Sequence, residues 1–396
     1  MKQKEELKEG LYFVHGYYSH QQEVVDTREI FRNHMILMKD SIENVYDVDA
    51  YDINLREVSM QSQILSGEYI YYNGETFQNA EENPTTVMYK EINKQLVKSI
   101  GYENYGNQPL EGVEKTSDVY SYHVNVGHGN CSIVVFSQNG KYVMWMIDCS
   151  VFDYTNKMSH KSNLNACMND INREFGVNKI SKLLITHLHY DHINGIEYLK
   201  KKGWVDRDTE VWMNVQYPWT QPTYSRILSQ LKALGVKFID PIVGNSIQHI
   251  RILYPVVSYN KKNVAPDNNI NNSSVLYQIC LAGKSMLFTG DIETEGWEKV
   301  TECFPYMKKS TYYCISHHGS ITGHMRNKCI EPRRRISTLA DCCSSSTEMQ
   351  VLMGRNGAYR GIFSGAVISD FPNIIKTEDA KNYIKIEWSS GKISKG

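Results

Sequence analysis

The chain has 396 residues, of which 41% are hydrophobic and 22% are charged, the ordinary balance of a globular protein with one or two domains. Its formal net charge of −1 excludes an overall positive field that would hold the protein on nucleic acid. The nine cysteines include no C-x-x-C pair and fall mostly in apolar runs, as Cys131, Cys280 and Cys314 do, which indicates reduced thiols rather than a disulfide framework.

The chain begins with MKQKEELKEGLYF, which lacks the apolar core of a signal peptide. No window of the sequence approaches the ~20 apolar residues that a membrane-spanning helix needs. Together with the reduced thiols, these features predict a cytoplasmic protein that has no membrane partner.

The first third of the chain contains no motif that indicates a function. Apolar residues at helical spacing predict an amphipathic helix over residues 21–43 and a second helix over residues 87–100. The tyrosine-rich stretch at residues 69–72 is compatible with a strand or a loop. We expect its tyrosines to pack at the edge of a core rather than to stack on bases.

A polar stretch rich in glycine, proline and asparagine, residues 101–118, predicts a linker. We therefore predict a partly helical N-terminal region, residues 1–116, and a separate domain, residues 117–396. Binding of a protein partner is one role that the N-terminal region could have.

Strand-like sequence begins at Val119 and continues through two turns. The first turn is Gly127-His128-Gly129-Asn130, and the second contains Asn139-Gly140, a dipeptide typical of hairpins. The strand that follows ends at Asp148, and a helix with apolar residues on one face then ends at Gly176. The alternation of strands and helices indicates an α/β layer.

A dense cluster of polar residues follows the next strand, residues 183–186. His187, His189, Asp191 and His192 lie within six positions and precede another helix. Imidazole nitrogen and carboxylate oxygen suit zinc and its first-row neighbours. In an extended turn the first two histidines point the same way and can share one ion, and the next two residues can then hold a second ion. We interpret the cluster as a metal site rather than a chance group of polar turn residues.

Two further strands end in polar turns. An asparagine-rich run that contains Asn271 and Asn272 precedes a strand, a turn and a second strand, which ends in Gly290-Asp291. A short strand, residues 312–316, is followed by His317-His318-Gly319-Ser320, and the chain closes with a predicted hairpin. A strand that stops in a polar turn places its last side chains at the edge of a sheet, where an open site can form.

The H-x-H-x-D-H run of residues 187–192 resembles the signature of the metallo-β-lactamase fold. Three other segments are similar to the soluble hydrolase domain of the competence DNA-uptake protein ComEC: VNVGHGNCSIVVF, NNSSVLYQICLAGKSMLFTGD and HHGS. The resemblance covers residues 119–393 and leaves the first third unexplained. It implies an αββα sandwich of the α/β (α+β) class, with a dinuclear metal site on loops at one edge.

The resemblance also implies a set of ligands. Two divalent ions, zinc or manganese, would be held by His187, His189, Asp191, His192, Asp291 and His317, with the second aspartate as the bridge. Most members of the wider fold carry a third histidine near Asn271, and this chain has none. Asn271 or Asn272 would then be a weak ligand or a hydrogen-bond partner of the ligands. The ion on His187 and His189 should therefore be held loosely.

Three residues are expected to act around the ions. His318 would lie near the substrate as a general acid, and Asp191 would be essential for catalysis as a charged ligand. Asp148, at a strand end, would hydrogen-bond a ligand histidine from behind, or would be an ordinary turn aspartate.

Two ions that share a water can hydrolyse phosphodiesters, lactones, thioesters or β-lactams, so the fold alone does not select the substrate. The resemblance favours a phosphodiesterase or nuclease, and the neutral net charge favours single-stranded nucleic acid or nucleotides over tight duplex binding. An ester, thioester or lactone hydrolase of the same fold is the first alternative. A non-catalytic scaffold or partner-binding protein is the second.

Overall fold

The computed structural model describes most of the chain, in thirteen ranges: residues 1–18, 34–41, 43–60, 64–103, 118–214, 220–241, 246–247, 249–254, 270–303, 310–324, 349–359, 361–371 and 373–396. No helix within these ranges is both long enough and apolar enough to cross a membrane.

The described residues form strands and helices in mixed order. The strands are β1 (Gly10–Tyr18), β2 (His34–Asp40), β3 (Val48–Asn54), β4 (Ser59–Met60), β5 (Tyr69–Tyr72), β6 (Thr76–Asn79), β7 (Tyr102–Glu103), β8 (Val119–Val124), β9 (Ser132–Gln138), β10 (Lys141–Ile147), β11 (Phe152–Asp153), β12 (Met158–Ser159), β13 (Lys182–Leu184), β14 (Glu210–Trp212), β15 (Lys237–Ile239), β16 (Ser246–Ile247), β17 (Ile250–Tyr254), β18 (Leu276–Leu281), β19 (Lys284–Phe288), β20 (Tyr312–Cys314), β21 (Met349–Leu352), β22 (Ile374–Lys376), β23 (Tyr383–Glu387) and β24 (Ile393–Lys395). The helices are α1 (Pro84–Lys98), α2 (Lys161–Phe175), α3 (Tyr190–Ile193), α4 (Ile196–Lys201), α5 (Pro222–Leu234), α6 (Thr294–Cys303) and α7 (Gly365–Ser369).

Two large sheets form the centre of the molecule. One has nine strands in the order β24-β23-β8-β9-β10-β13-β14-β15-β7, and the other has seven in the order β16-β17-β18-β19-β20-β21-β22. Their facing sides share one apolar core, to which Trp145 and Tyr277 contribute large buried side chains. Helices α2 and α5 cover the outer face of the first sheet, and α6 and α7 cover the outer face of the second. The αββα sandwich that the resemblance implied is confirmed.

Strand β9 shows why the sequence forms this layer. Ile133 and Val135 pack under the helices, whereas Val134 and Phe136 face the second sheet, and all four are buried. A strand that is covered on both faces needs a continuous apolar run rather than an alternating one.

The first third of the chain forms a third sheet, of six strands in the order β3-β2-β1-β5-β6-β4. The predicted helix over residues 21–43 is therefore wrong where the structure describes it, because residues 34–40 are strand β2, paired with β1 and β3. The run HMILM is buried on both faces of this sheet. A short apolar run of this kind does not distinguish a buried strand from a helix. Residues 19–33 lie outside the described ranges.

The other expectations for the first third concern a helix, a tyrosine-rich stretch and a linker. The second predicted helix is confirmed as α1, which starts at Pro84 after the Asn83 side chain accepts a hydrogen bond from the Thr85 amide. The tyrosine-rich stretch is strand β5. The predicted linker is not entirely a linker, since Tyr102–Glu103 forms β7 and extends the nine-stranded sheet beside β15. Residues 104–117 lie outside the described ranges, and the domain boundary at residue 116 stays a prediction.

The N-terminal sheet packs directly on the αββα sandwich. Phe13 and Ile36 belong to the same apolar core as helices α2 and α5. The Tyr190 hydroxyl donates a hydrogen bond to the Val45 carbonyl, and the Thr223 hydroxyl donates one to Asp40 at 2.6 Å. The sheet therefore lies beside the H-x-H-x-D-H turn, of which Tyr190 is a part.

Candidate metal centre

The site forms where parallel strands of the two sheets end. Strand β10 runs parallel to β13, and β19 runs parallel to β20, so each pair ends at one edge of its sheet. The Thr186 carbonyl accepts a hydrogen bond from the Val275 amide at 2.6 Å, which ties the two edges together. Gly290 has a φ of 54°, and a Cβ on it would lie 2.7 Å from the Thr186 Cβ, so only glycine fits before Asp291.

Asp148 orients His192 from behind. One oxygen of its carboxylate accepts from the Thr186 amide at 2.7 Å, and the other accepts from His192 Nδ1 at 2.8 Å. Because Nδ1 is the donor to Asp148, only Nε2 of His192 can offer a lone pair, and it faces Asp291 Oδ1 at 3.3 Å. A carboxylate that sets the tautomer of a ligand histidine is typical of metal sites.

Backbone carbonyls fix the tautomers of two more histidines in the same way. A carbonyl only accepts hydrogen bonds, so His189 donates from Nε2 to the His15 carbonyl at 2.9 Å and keeps its lone pair on Nδ1. His318 donates from Nδ1 to the Met353 carbonyl at 3.1 Å, which leaves the lone pair on Nε2. That nitrogen lies 3.1 Å from Asp191 Oδ2 and 3.5 Å from Asp291 Oδ2. A lone pair this close to carboxylate oxygens is repulsive unless a cation or a proton lies between them.

Donor atoms converge in groups that share members. Asp191, His192, Asp291 and His318 each offer an atom within 4.8 Å of the others, and so do His187, His189 and Asp291. Asp291 belongs to both groups, which is the position of a bridging carboxylate. His187 Nε2 lies 3.0 Å from His189 Nδ1, so the two rings present nitrogens to one point.

The electrostatics of the pocket also favour cations. Burial opposes ionisation of Asp191 and Asp291, but the surrounding histidines outweigh it and hold the pKa of both carboxyl groups well below the usual range. Burial also opposes a charge on His192, yet Asp291, Asp148 and Asp191 raise its pKa well above the ordinary value. Oδ1 of Asp191 is buried and makes no hydrogen bond with any described residue. The residues present therefore fit a pair of divalent ions.

The two histidines of the HHGS turn occupy places opposite to those predicted. His318 points into the four-residue group, whereas the His317 ring faces Glu293 Oε1 at 3.1 Å and the Tyr359 hydroxyl at 3.4 Å. The sequence prediction took His317, the first residue after the predicted strand, as the ligand. Both histidines adopt left-handed backbone angles, with φ of 48° and 49°, and this turn exchanges the directions of their side chains.

His317 lies at the edge of the pocket in a setting that favours a charge. Burial lowers its pKa, but Glu293 and Asp291 outweigh burial, so the pKa lies above the ordinary value. The geometry therefore favours His318 as a ligand and His317 as a proton donor. Both roles stay predictions.

The two asparagines proposed as weak ligands are both buried, and both engage the start of α6. Asn271 Nδ2 donates to Glu293 Oε1 at 3.0 Å. Asn272 Oδ1 accepts from the backbone amides of Glu293 and Gly296 at 2.9 and 3.2 Å, so this oxygen caps the helix. Asn271 also lines the pocket, and whether it is a ligand stays a prediction.

Sequence reasoning missed two histidines. His128, in the Gly127–Gly129 turn, places Nε2 at 3.1 Å from Asp191 Oδ2 and is almost fully buried. Its position between two glycines of a turn was a usable signal. His15 belongs to strand β1 of the N-terminal sheet, and its ring lies 3.9 Å from the His189 ring. Burial lowers the pKa of His15 to about 4, and nothing in the local sequence indicated its role.

Comparisons with known proteins agree with this architecture. Residues 124–236 match the family model described as Metallo-beta-lactamase superfamily. A segment of 164 residues is 29% identical to ComE operon protein 3 of Bacillus subtilis (strain 168) and covers 41% of this chain. The match spans 20% of that relative, about a fifth of its length.

Solved structures with similar chains include a metallo-beta-lactamase fold protein, YhfI of Bacillus subtilis, at 12% identity and a TM-score of 0.35, which covers 70% of this chain and 100% of that one. A second is CmlA, a diiron beta-hydroxylase from Streptomyces venezuelae, at 14% identity and a TM-score of 0.29, with 63% and 49% of the two chains covered. A third is a diphosphatase from the PhnP family, at 12% identity and a TM-score of 0.30, with 59% and 85% covered. The matched segment and the αββα sandwich together show that this chain has the metallo-β-lactamase fold and is similar over part of its length to ComE operon protein 3.

Proposed function

We propose that the protein is a metal-dependent hydrolase that cleaves phosphodiesters in single-stranded nucleic acid or nucleotides. The observation that carries the proposal is the convergence of oriented histidine lone pairs on two buried, ionised carboxylates. Two bound divalent ions, zinc or manganese, would lower the pKa of a shared water and neutralise charge on the scissile group.

The chain's own residues divide this work. His187 and His189 would hold one ion, Asp191, His192 and His318 the other, and Asp291 both. Asp148 and the Met353 carbonyl keep two of the ligand rings in place. His317, held by Glu293, would give a proton to the leaving group.

The pocket supports a reaction at a single small group. It is lined by residues of both parts of the chain, among them Tyr18 and Tyr359, and it encloses about 20 Å³, room for a water molecule. The body of a substrate would therefore lie outside this cavity. The two tyrosine rings lie 5.2 Å apart at its wall, inclined to each other by 57°.

A substrate panel tests the proposal. Purified protein would be analysed for metal by mass spectrometry and then assayed with zinc or manganese on single-stranded DNA, RNA, cyclic nucleotides and an aryl ester. Metal-dependent cleavage of a phosphodiester, abolished in Asp191→Asn, supports the proposal. Cleavage of the ester alone would favour the carboxylic ester hydrolase instead, and a protein without metal or turnover would favour a scaffold. Cytoplasmic location and a partner of the N-terminal region stay predictions.

A further inference from the structure

Strand β1 contains an irregularity at His15. Val14 pairs with Leu37 of β2, but Gly16 pairs with the adjacent Ile36, so two steps along β1 match one step along β2. His15 is the extra residue of a β-bulge. Bulges occur often beside active sites, where they redirect a side chain out of the regular alternation.

The bulge directs the His15 ring into the candidate metal centre. The ring stacks on His189 with 3.9 Å between centroids, and Nε2 lies 3.9 Å from Asp191 Oδ1. His15, His189 and Asp191 each offer a ligand atom within 4.8 Å of the others. The N-terminal sheet therefore brings a donor to the ions from a different part of the chain.

One nitrogen of the buried His15 ring lacks a hydrogen-bond partner among the described residues. It is 5% exposed, and its Nδ1 makes no hydrogen bond with any described residue. The nearest oxygen of Asp191 is likewise buried without a hydrogen bond to a described residue. Unpaired buried polar atoms cost free energy, and the other ring nitrogen, Nε2, lies 3.9 Å from this oxygen, a separation that a cation between them would fill.

The backbone of His15 acts on the same ion site. Its carbonyl accepts the hydrogen bond from His189 Nε2 at 2.9 Å and so turns His189 Nδ1 toward the ions. One residue thus supplies both an orienting acceptor and a second imidazole. A merely structural role for the strand would not require the ring to face the ligands.

The ion on His187 and His189 otherwise has a short ligand set. With Asp291 they provide three protein donors, and Asn271, where the wider fold carries a third histidine, donates its amide to Glu293. Zinc usually takes four ligands, so this set leaves a position that a further histidine could occupy.

We propose that His15 is a metal ligand that the N-terminal sheet contributes to the ion held by His189. The inference rests on the metal centre of the proposed function, and it makes the first third of the chain a component of the active site.

The test replaces the ring and leaves the carbonyl. His15→Ala and His15→Gln in the full chain keep the backbone acceptor for His189, so they report on the imidazole alone. His34→Ala is the matched control, because His34 is buried in the adjacent strand β2 and is bonded to Asp52 at 2.9 Å, within the same sheet. Thermal unfolding in the presence of a chelator shows whether each variant folds without metal.

Metal stoichiometry, the dissociation constant from chelator competition, and the visible spectrum of the cobalt-loaded protein provide the readouts. We expect the wild type and His34→Ala to hold two ions. Both His15 variants should lose affinity for one ion by more than the ~10–100-fold that loss of an orienting partner costs, with a changed cobalt spectrum. His15 variants that keep both ions at wild-type affinity and an unchanged spectrum would overturn the inference alone. A wild type that binds no ion would overturn the proposed function as well.

Discussion

Alanine substitutions at the two histidines of the HHGS turn should have different effects on metal binding and on turnover. His318→Ala removes the nitrogen that lies 3.1 Å from Asp191 Oδ2 and 3.5 Å from Asp291 Oδ2. After the substitution, Asp191 Oδ2 retains His128 Nε2 at 3.1 Å, and both carboxylates stay buried and ionised. The ion held by this group should therefore lose a ligand while the remaining charges stay in place.

The expected size of the effect follows from the contacts. A hydrogen bond to a charged group contributes about 1.5–3 kcal/mol, which we take as the smallest contribution expected of a ligand contact to the ion. At about 1.4 kcal/mol for each factor of ten, the dissociation constant of that ion should rise by roughly 10–100-fold or more. His317→Ala should keep both ions, because its ring contacts Glu293, Thr322 and Tyr359 rather than the ligand group.

The rate should respond differently. Loss of a general acid costs about 10²–10⁴-fold, so His317→Ala should lose rate most with a poor leaving group and least with a nitrophenolate ester. Metal stoichiometry measured beside turnover for both variants decides the matter. If His317→Ala loses an ion while His318→Ala keeps both, the left-handed turn does not place the rings as described here, and the reasoning is refuted.

Three further substitutions test the rest of the site. Asp191→Asn should weaken metal binding and reduce hydrolysis by orders of magnitude while circular dichroism stays unchanged; turnover near the wild-type rate would contradict the dinuclear centre. Asp148→Asn should turn an amide N–H toward Thr186 or His192, both of which donate, and should weaken metal binding about 10–100-fold in a chelator titration. Gly290→Ala should lower the melting temperature far more than Gly283→Ala, because a Cβ at 290 meets Thr186 whereas at 283 nothing lies within 4 Å. Equal melting temperatures would show that the contact relaxes without cost.

The parts of the site that the sequence predicted are those in which ligands follow one another along the chain. The geometry of the H-x-H-x-D-H turn is specified locally, because the preceding strand stops there. The geometry before Asp291 is also local, because the backbone angle and the close contact at position 290 suit only glycine. The order of His317 and His318 was not predictable in this way. It depends on two consecutive left-handed residues, a conformation that costs a non-glycine residue free energy and persists only when its surroundings hold it.

His15 illustrates a different limit of sequence reasoning. It lies 174 positions from His189 along the chain, and its approach depends on the pairing of β1 with β2 and on a one-residue bulge within that pair. Because residues 21–43 were predicted to be a helix, strand β2 was not predicted, and neither was the sheet that contains the bulge. The wrong assignment of one apolar run is therefore the reason that His15 was not predicted as a residue of the site.

The packing of the N-terminal sheet holds the bulge in place beside the metal turn. A sheet joined to a domain only by a linker would leave its inner face to solvent, whereas here Phe13 and Ile36 are buried in the core that also contains helices α2 and α5. The Tyr190 hydroxyl, from within the metal turn itself, donates to the Val45 carbonyl of the N-terminal region. These contacts fix β1 against the turn. The bulge at His15 can then present a ring to His189 at van der Waals distance without the entropic cost of ordering a free segment. The N-terminal sheet and the metal turn therefore pack as one unit, although the sequence predicts a linker over residues 101–118.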